Sequence, residues 1–157
     1  MLKGRKIAVI LGARQVGKTT LVEHLIQSQK YAALNFDIEI DKRQFLAAAE
    51  MSPDDAISSL GNPEILILDE AQRLPAASRV VKGWHDAHVS ANIVMLGSSS
   101  LDLLAQATES LTGRNAKLRL PPLLFEEALS AQPWHSSTYS QSVLLKSFQE
   151  PLHGYLV

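Results

Sequence analysis

Five short apolar runs punctuate the chain: KIAVIL (6–11), YAALNF (31–36), EILILD (64–69), NIVMLG (92–97) and a weaker AKLRL (116–120). Each is apolar along nearly its whole length rather than at alternate positions, the pattern of strands covered on both faces. Between them, residues 18–29, 39–50, 53–60, 78–89 and 100–107 carry helical spacing. Ser52 before Pro53, Asp54 and Asp55 supplies an N-cap, a proline at the first helical position and acids that suit the positive helix end. Strand–helix alternation predicts a three-layer α/β domain with a mainly parallel, five-stranded sheet. Ligands of such sheets bind at the carboxyl ends of the strands, and the polar motifs of this chain fall at strand ends.

Composition narrows the picture only slightly. The 157 residues suffice for one well-buried domain, and 46% hydrophobic with 20% charged residues is ordinary for a globular chain. A net charge of −1 gives no general electrostatic case for nucleic acid or an acidic membrane. Lys3, Arg5, Lys6, Arg14 and Lys18 all precede the first acid, Glu23; a solvated amino terminus plus phosphate-site charge accounts for them better than a DNA-binding arm. The absence of cysteine rules out disulfides and thiolate metal sites and is compatible with a reducing cytoplasm. KIAVILGA is too short to span a bilayer and lacks a cleavable signal pattern, so the expected location is cytoplasmic, without a membrane partner. Residues 1–129 are expected to form the core. The Ser- and Gln-rich segment 130–142 reads as a surface loop leaving it, and 143–157 as the start of a helical region. Its apolar end, Tyr155-Leu156-Val157, leads us to expect that something follows.

The stretch LGARQVGKTTL settles what the first strand end holds. Gly12, Ala13, Arg14, Gln15, Val16, Gly17, Lys18 and Thr19 fit G-x-x-x-x-G-K-S/T, with Thr20 next, between a strand and a helix. The glycines let backbone N–H groups turn inward around phosphates, and the helix points its free N–H groups at the same anion. Lys18 is expected to reach the β- and γ-phosphates and the Thr19 hydroxyl to ligate Mg²⁺, with ATP as the nucleotide.

Ile65-Leu66-Ile67-Leu68-Asp69-Glu70 is a strand ending in two carboxylates. Asp69 is placed to complete a Mg²⁺ shell and Glu70 to deprotonate an attacking water, against the alternative of a capping pair at a strand–helix turn. The excursion 31–60 leaves room for a strand inserted between the two motif-bearing strands. No N-K-x-D guanine motif occurs, which argues against a GTPase. Ser98, Ser99 and Ser100 at the fourth strand's tip read equally as a nucleotide sensor or as an N-cap. Arg114, in ESLTGR, is by spacing alone a surface or helix-end cation rather than an arginine finger. His85 and His88, three apart on an expected helix, read as a solvated face rather than metal ligands, and Trp84 and Trp134 as packing residues.

Together GARQVGKTTL, ILILDEAQRLP, GSSSLDLL, ESLTGR and LRLPPLLFEEAL resemble the prokaryotic AAA-type ATPases of the AAA_14 class, over roughly residues 5–130. Chains of that class often carry a carboxy-terminal domain of the uncharacterised type DUF4143. The resemblance implies a P-loop ATPase core with strand order 5-1-4-3-2 and Gln72 belonging to the site, orienting Glu70. It raises Arg114 to a candidate arginine finger acting in the same or a neighbouring subunit, which would make the active form an oligomer. Asp37 matches a recurrent aspartate with no assigned role. Where relatives show L-T-G-S-S, this chain has Met95-Leu96-Gly97-Ser98-Ser99, and Leu96 has no hydrogen-bonding group for a γ-phosphate. It also stops where members continue into the further domain. The residues therefore point to a Mg²⁺-dependent ATPase moving a partner or an attached domain. A non-hydrolysing nucleotide switch is the alternative, and a small-molecule kinase, lacking an arginine-rich lid, a more distant third.

Overall fold

Ile7–Leu11 forms β1, buried along its whole length, and the rest of the sheet is built outward from it. The computed structural model describes residues 6–26, 28–98 and 111–122, all within the unit Met1–Pro122. The expected helix 100–107, the serines at 99 and 100, Trp134 and the segment 130–157 lie outside the described residues. In chain order, β1 is followed by α1 (Lys18–Leu25), β2 (Tyr31–Asn35), α2 (Glu39–Ala49), α3 (Pro53–Ser59) and β3 (Ile65–Asp69). A 3₁₀ turn (Ala71–Arg73), α4 (Ala77–Asp86), β4 (Asn92–Gly97) and β5 (Asn115–Arg119) complete the described elements.

The strands pair in the order β2-β3-β4-β1-β5, the expected order read from the other edge, and every pairing is parallel. The strand lying between β1 and β3 is β4; the excursion 31–60 places its own strand, β2, at the edge instead. Alternate side chains feed two cores, as the two-residue period of a strand requires. Val9, Leu66, Leu68, Ile93 and Met95 pack under α2, α3 and α4. Ala8, Ile10, Ile67, Val94 and Leu96 face Val22 of α1 and Ile26 just past its end. The three central strands are thus buried on both faces. The edges differ from the sequence expectation, with Tyr31 of β2 and Leu118 of β5 exposed.

Helix ends follow local chemistry. The Ser52 side chain accepts a hydrogen bond from the Asp55 amide at 3.4 Å ahead of Pro53, as the sequence predicts. Helix α4 stops at Asp86 rather than running to residue 89, because His88 adopts φ 60 and turns the chain back, its neighbour Val89 bonding the Trp84 carbonyl at 3.2 Å. His85 and His88 therefore do not share one helix face.

Phe45 ties the helical layer together. Its ring meets Phe36 edge-on at 5.1 Å and Trp84 at 5.4 Å, and all three side chains are buried, so Trp84 is the packing residue expected of it. Replacing Phe45 by Ala removes the centre of that trio. The expected loss is about 3–5 kcal/mol of folding stability, a large part of a typical domain's total, checked by urea unfolding of both chains.

Candidate active site

The loop after β1 is shaped by two glycines for two different reasons. Gly12 is buried, and a Cβ there would stand 2.6 Å from the Leu120 carbonyl oxygen and 2.9 Å from a Val16 methyl. Its side chain is excluded by the loop's packing against the end of β5, so the glycine is required before any phosphate is considered. Gly17 meets no such obstacle but has φ 86, the left-handed conformation that lets it cap α1. Gln15 shares that conformation at φ 63. The Gly12 amide donates to the Gly97 carbonyl at 3.3 Å, and the Leu120 amide to Leu11 at 2.7 Å, so the loop's root is tied to both neighbouring strands. Ala13, Arg14 and Gln15 are exposed at the loop's tip, Val16 is half-buried, and Thr20 is exposed on α1.

Lys18 opens α1 and is buried, at 6% exposure. A buried ammonium needs acceptors, and Nζ finds two in the loop itself, the carbonyls of Gly12 at 3.1 Å and Ala13 at 2.9 Å. The Thr19 hydroxyl donates to Asp69 Oδ2 at 2.8 Å, joining the start of α1 to the end of β3. The other oxygen of Asp69 accepts the Glu70 amide at 2.8 Å. A hydroxyl and a carboxylate meeting at one point form a hard oxygen donor set, which fits Mg²⁺.

Glu70 leaves β3 with φ 51 and ψ 41, a left-handed conformation that costs a non-glycine residue about 1–3 kcal/mol. This bend turns its side chain toward Gln72. The Gln72 amide donates through Nε2 to Glu70 Oε2, and its Oε1 accepts the backbone amide of Ser98 at 3.3 Å. The tip of β4 is thereby linked to Glu70 through one side chain, and the residues at 12–19, 69–72 and 98 gather at one end of the sheet. Leu96 lies wholly inside the core on the α1 side and brings no polar group there.

A family model described as an AAA domain, AAA_14, matches residues 4–129. The chain belongs to this family. Similar chains include uncharacterised proteins of Mycobacterium bovis and Mycobacterium tuberculosis, each 32% identical over 126 residues, 80% of this chain and 27% of theirs. Another, from Methanocaldococcus jannaschii, is 32% identical over 154 residues, 92% of this chain and 34% of that one. The chain thus spans about a third or less of the curated relatives it matches. Membership in an AAA family supports nucleotide binding at the phosphate loop. Among the described residues, no helix is long and apolar enough to cross a membrane.

In this AAA domain, two arginines and an aspartate form a cluster at the same end of the sheet. Asp37, two residues past β2, accepts a hydrogen bond from Arg14 Nη2 of the phosphate loop at 3.2 Å through one oxygen, and its other oxygen forms an ion pair with Arg73 Nε at 3.0 Å. Sequence reasoning singled out Asp37 without a role and passed over Arg73. The only local signal was Arg73's place directly after Gln72.

Arg114 lies elsewhere. It immediately precedes β5, whose Asn115 pairs with Ile7, and the Ile7 amide donates to the Arg114 carbonyl at 2.9 Å. The phosphate loop begins past the other end of β1, about 13 Å away along the strand. The Arg114 guanidinium instead donates to Asp86 Oδ1 at 2.6 Å and to the Thr112 carbonyl at 3.4 Å. A finger acting within its own chain is therefore corrected to an ion pair at the opposite end of the sheet.

The Arg114 hydrogen bond holds the Asp86 carboxyl below the usual aspartate range, with a smaller contribution from His85, and Asp86 in turn raises Arg114. Because the folded value is depressed, the pair's stabilisation is complete above the unfolded value of about 3.9 and is lost as pH falls through the folded one. Carboxyl NMR titration is expected to find Asp86 protonating below that ordinary value, and Arg114→Gln to move its midpoint upward.

Proposed function

We propose that this AAA domain is a Mg²⁺-dependent ATPase, hydrolysing ATP to ADP and phosphate and coupling nucleotide state to movement of a partner or an attached domain. The observation that carries this reading is the Thr19–Asp69 hydrogen bond at 2.8 Å, which unites the phosphate loop with the strand that bears Glu70. Lys18, with two N–H groups on loop carbonyls, directs its third toward the terminal phosphates. Thr19 and Asp69 would hold Mg²⁺, which when bound neutralises phosphate charge. Glu70 takes a proton from a water molecule as its oxygen bonds to the γ-phosphorus and the bond to the β-phosphate oxygen breaks. Gln72 fixes the Glu70 carboxylate for that task, and the backbone of Ser98 fixes Gln72.

Arg114 can serve such a reaction only in a neighbouring subunit's site, which requires an oligomer. A second reading, a nucleotide-binding switch with little turnover, is favoured by the same Gln72 contact if it restrains Glu70 rather than orienting it.

Phosphate release from Mg²⁺-ATP, measured beside nucleotide binding, tests the proposal. The parent chain is expected to turn over, while Glu70→Gln binds ATP as well and loses about 10²–10⁴ in kcat. Binding without turnover in the parent would instead favour the switch.

Gln72→Ala separates the two roles of the amide. An orienting Gln72 predicts a fall in kcat of about tenfold with nucleotide affinity unchanged. A rise in kcat on the same substitution would mark it as a restraint.

A further inference from the structure

The Arg14–Asp37–Arg73 cluster spans the candidate site from side to side. Arg14 belongs to the loop after β1, and Asp37 follows β2, three strand spacings away across the sheet, about 14 Å. Between them end β4, with Ser98, and β3, with Asp69 and Glu70. The Arg14–Asp37 pair therefore crosses over the strand ends where the phosphate loop and the two carboxylates meet. Arg73 approaches Asp37 from the 3₁₀ turn that also carries Gln72.

Asp37 itself is firmly placed. The preceding residue, Phe36, is fully buried, and its amide donates to the Asp69 carbonyl at 3.0 Å, extending the β2–β3 pairing to the edge of the site. The Asp37 amide donates to Asn35 Oδ1 at 2.9 Å, and the Asn35 amide to Asp41 Oδ2 at 2.8 Å. The two guanidinium groups are more exposed, at 66% and 52%. Two like charges within hydrogen-bonding distance of one carboxylate repel each other, and Asp37 offsets that repulsion with one oxygen for each. With asparagine in its place, the two cations would separate.

We propose that Asp37 is a positioning residue: a single carboxylate that ties the phosphate loop, through Arg14, to the turn carrying Glu70 and Gln72, through Arg73, so that the two halves of the site move together. Its catalytic part rests on the ATPase reading above; the mechanical link does not. Exposed ion pairs are individually weak, which makes such a clasp easy to open and close as nucleotide enters and leaves. The link runs both ways, so disturbing either arginine is felt at the other's loop.

Backbone amide NMR of the full chain, together with steady-state ATP turnover, tests this on Arg14→Ala, Arg73→Ala, Asp37→Asn, Asp37→Glu and the Asp37→Asn/Arg73→Ala pair. Arg73→Ala is expected to shift the amide signals of residues 13–15, and Arg14→Ala those of residues 71–74. Asp37→Asn is expected to shift both sets, with no further change at residues 13–15 when Arg73→Ala is added. In turnover, Arg73→Ala lowers chiefly kcat and Arg14→Ala raises chiefly KM, each by about 3–10-fold; Asp37→Asn does both, and Asp37→Glu recovers part of each. A purely structural role would lower stability and leave the kcat and KM of the folded chain alone. Shifts confined to the neighbourhood of each substitution, or kinetic effects of Asp37→Asn and Arg73→Ala that simply add, overturn the clasp. A parent chain that binds no ATP overturns the ATPase reading, and the cross-loop shifts still decide the mechanical link.

Discussion

One hydrogen bond, from the Thr19 hydroxyl to Asp69, sets what the rest of the site can be. One end is at the start of α1, which follows β1, and the other ends β3; β1 and β3 do not touch but lie on either side of β4, about 10 Å apart. For the bond to form, the loop after β1 must swing over the end of β4 before α1 begins. The tip of β4 holds that crossing in place, the Gly97 carbonyl accepting the Gly12 amide. The crossing also requires the left-handed Gly17, which aims the first turn of α1 back at β3. Sheet order, the two loop glycines and Gly97 are in this sense parts of one constraint.

The polar groups around that bond differ in how tightly they are held. Lys18 is buried and gains two carbonyl acceptors, so its position is dictated by desolvation: an ammonium there without partners would be too costly to keep charged. Glu70 is placed by backbone geometry and by Gln72. Arg14 and Arg73, by contrast, sit largely in water, where solvent weakens an ion pair. The site thus combines a fixed floor, made of buried or backbone-bonded groups, with a looser rim of paired charges.

Much of this was legible in the sequence. The three central strands announce themselves because both of their faces are buried, which leaves polar residues only at their ends. The phosphate loop is legible because its function and its backbone geometry demand the same few residues in the same order. Gly12 is an instructive overlap: the motif explains it by phosphate, while the fold explains it by the carbonyl of Leu120, a residue more than a hundred positions away. The Arg14–Asp37–Arg73 cluster was not legible, because it depends on which strands end side by side, and no local pattern marks residues 14, 37 and 73 as neighbours. The end of α4 was missed because His88, rather than a glycine, takes the left-handed turn. The position of Arg114 could have been deduced. In a parallel sheet whose ligands gather at carboxyl ends, a residue directly before a strand lies at the far end, and Arg114 directly precedes β5.

The Gln72 contact carries chemical information beyond distance. The Ser98 amide can only donate, so the amide oxygen of Gln72 must face it, and the NH₂ group must then face Glu70. The network orients the Glu70 carboxylate from the backbone of β4, the strand that separates the two halves of the site. The Gln72 bond uses one oxygen of Glu70, so in the proposed hydrolysis the other is the one offered to water. A shift of the β4 tip would move Gln72 first and Glu70 through it, so in the proposed reaction the end of β4 is where the state of the nucleotide would reach Glu70.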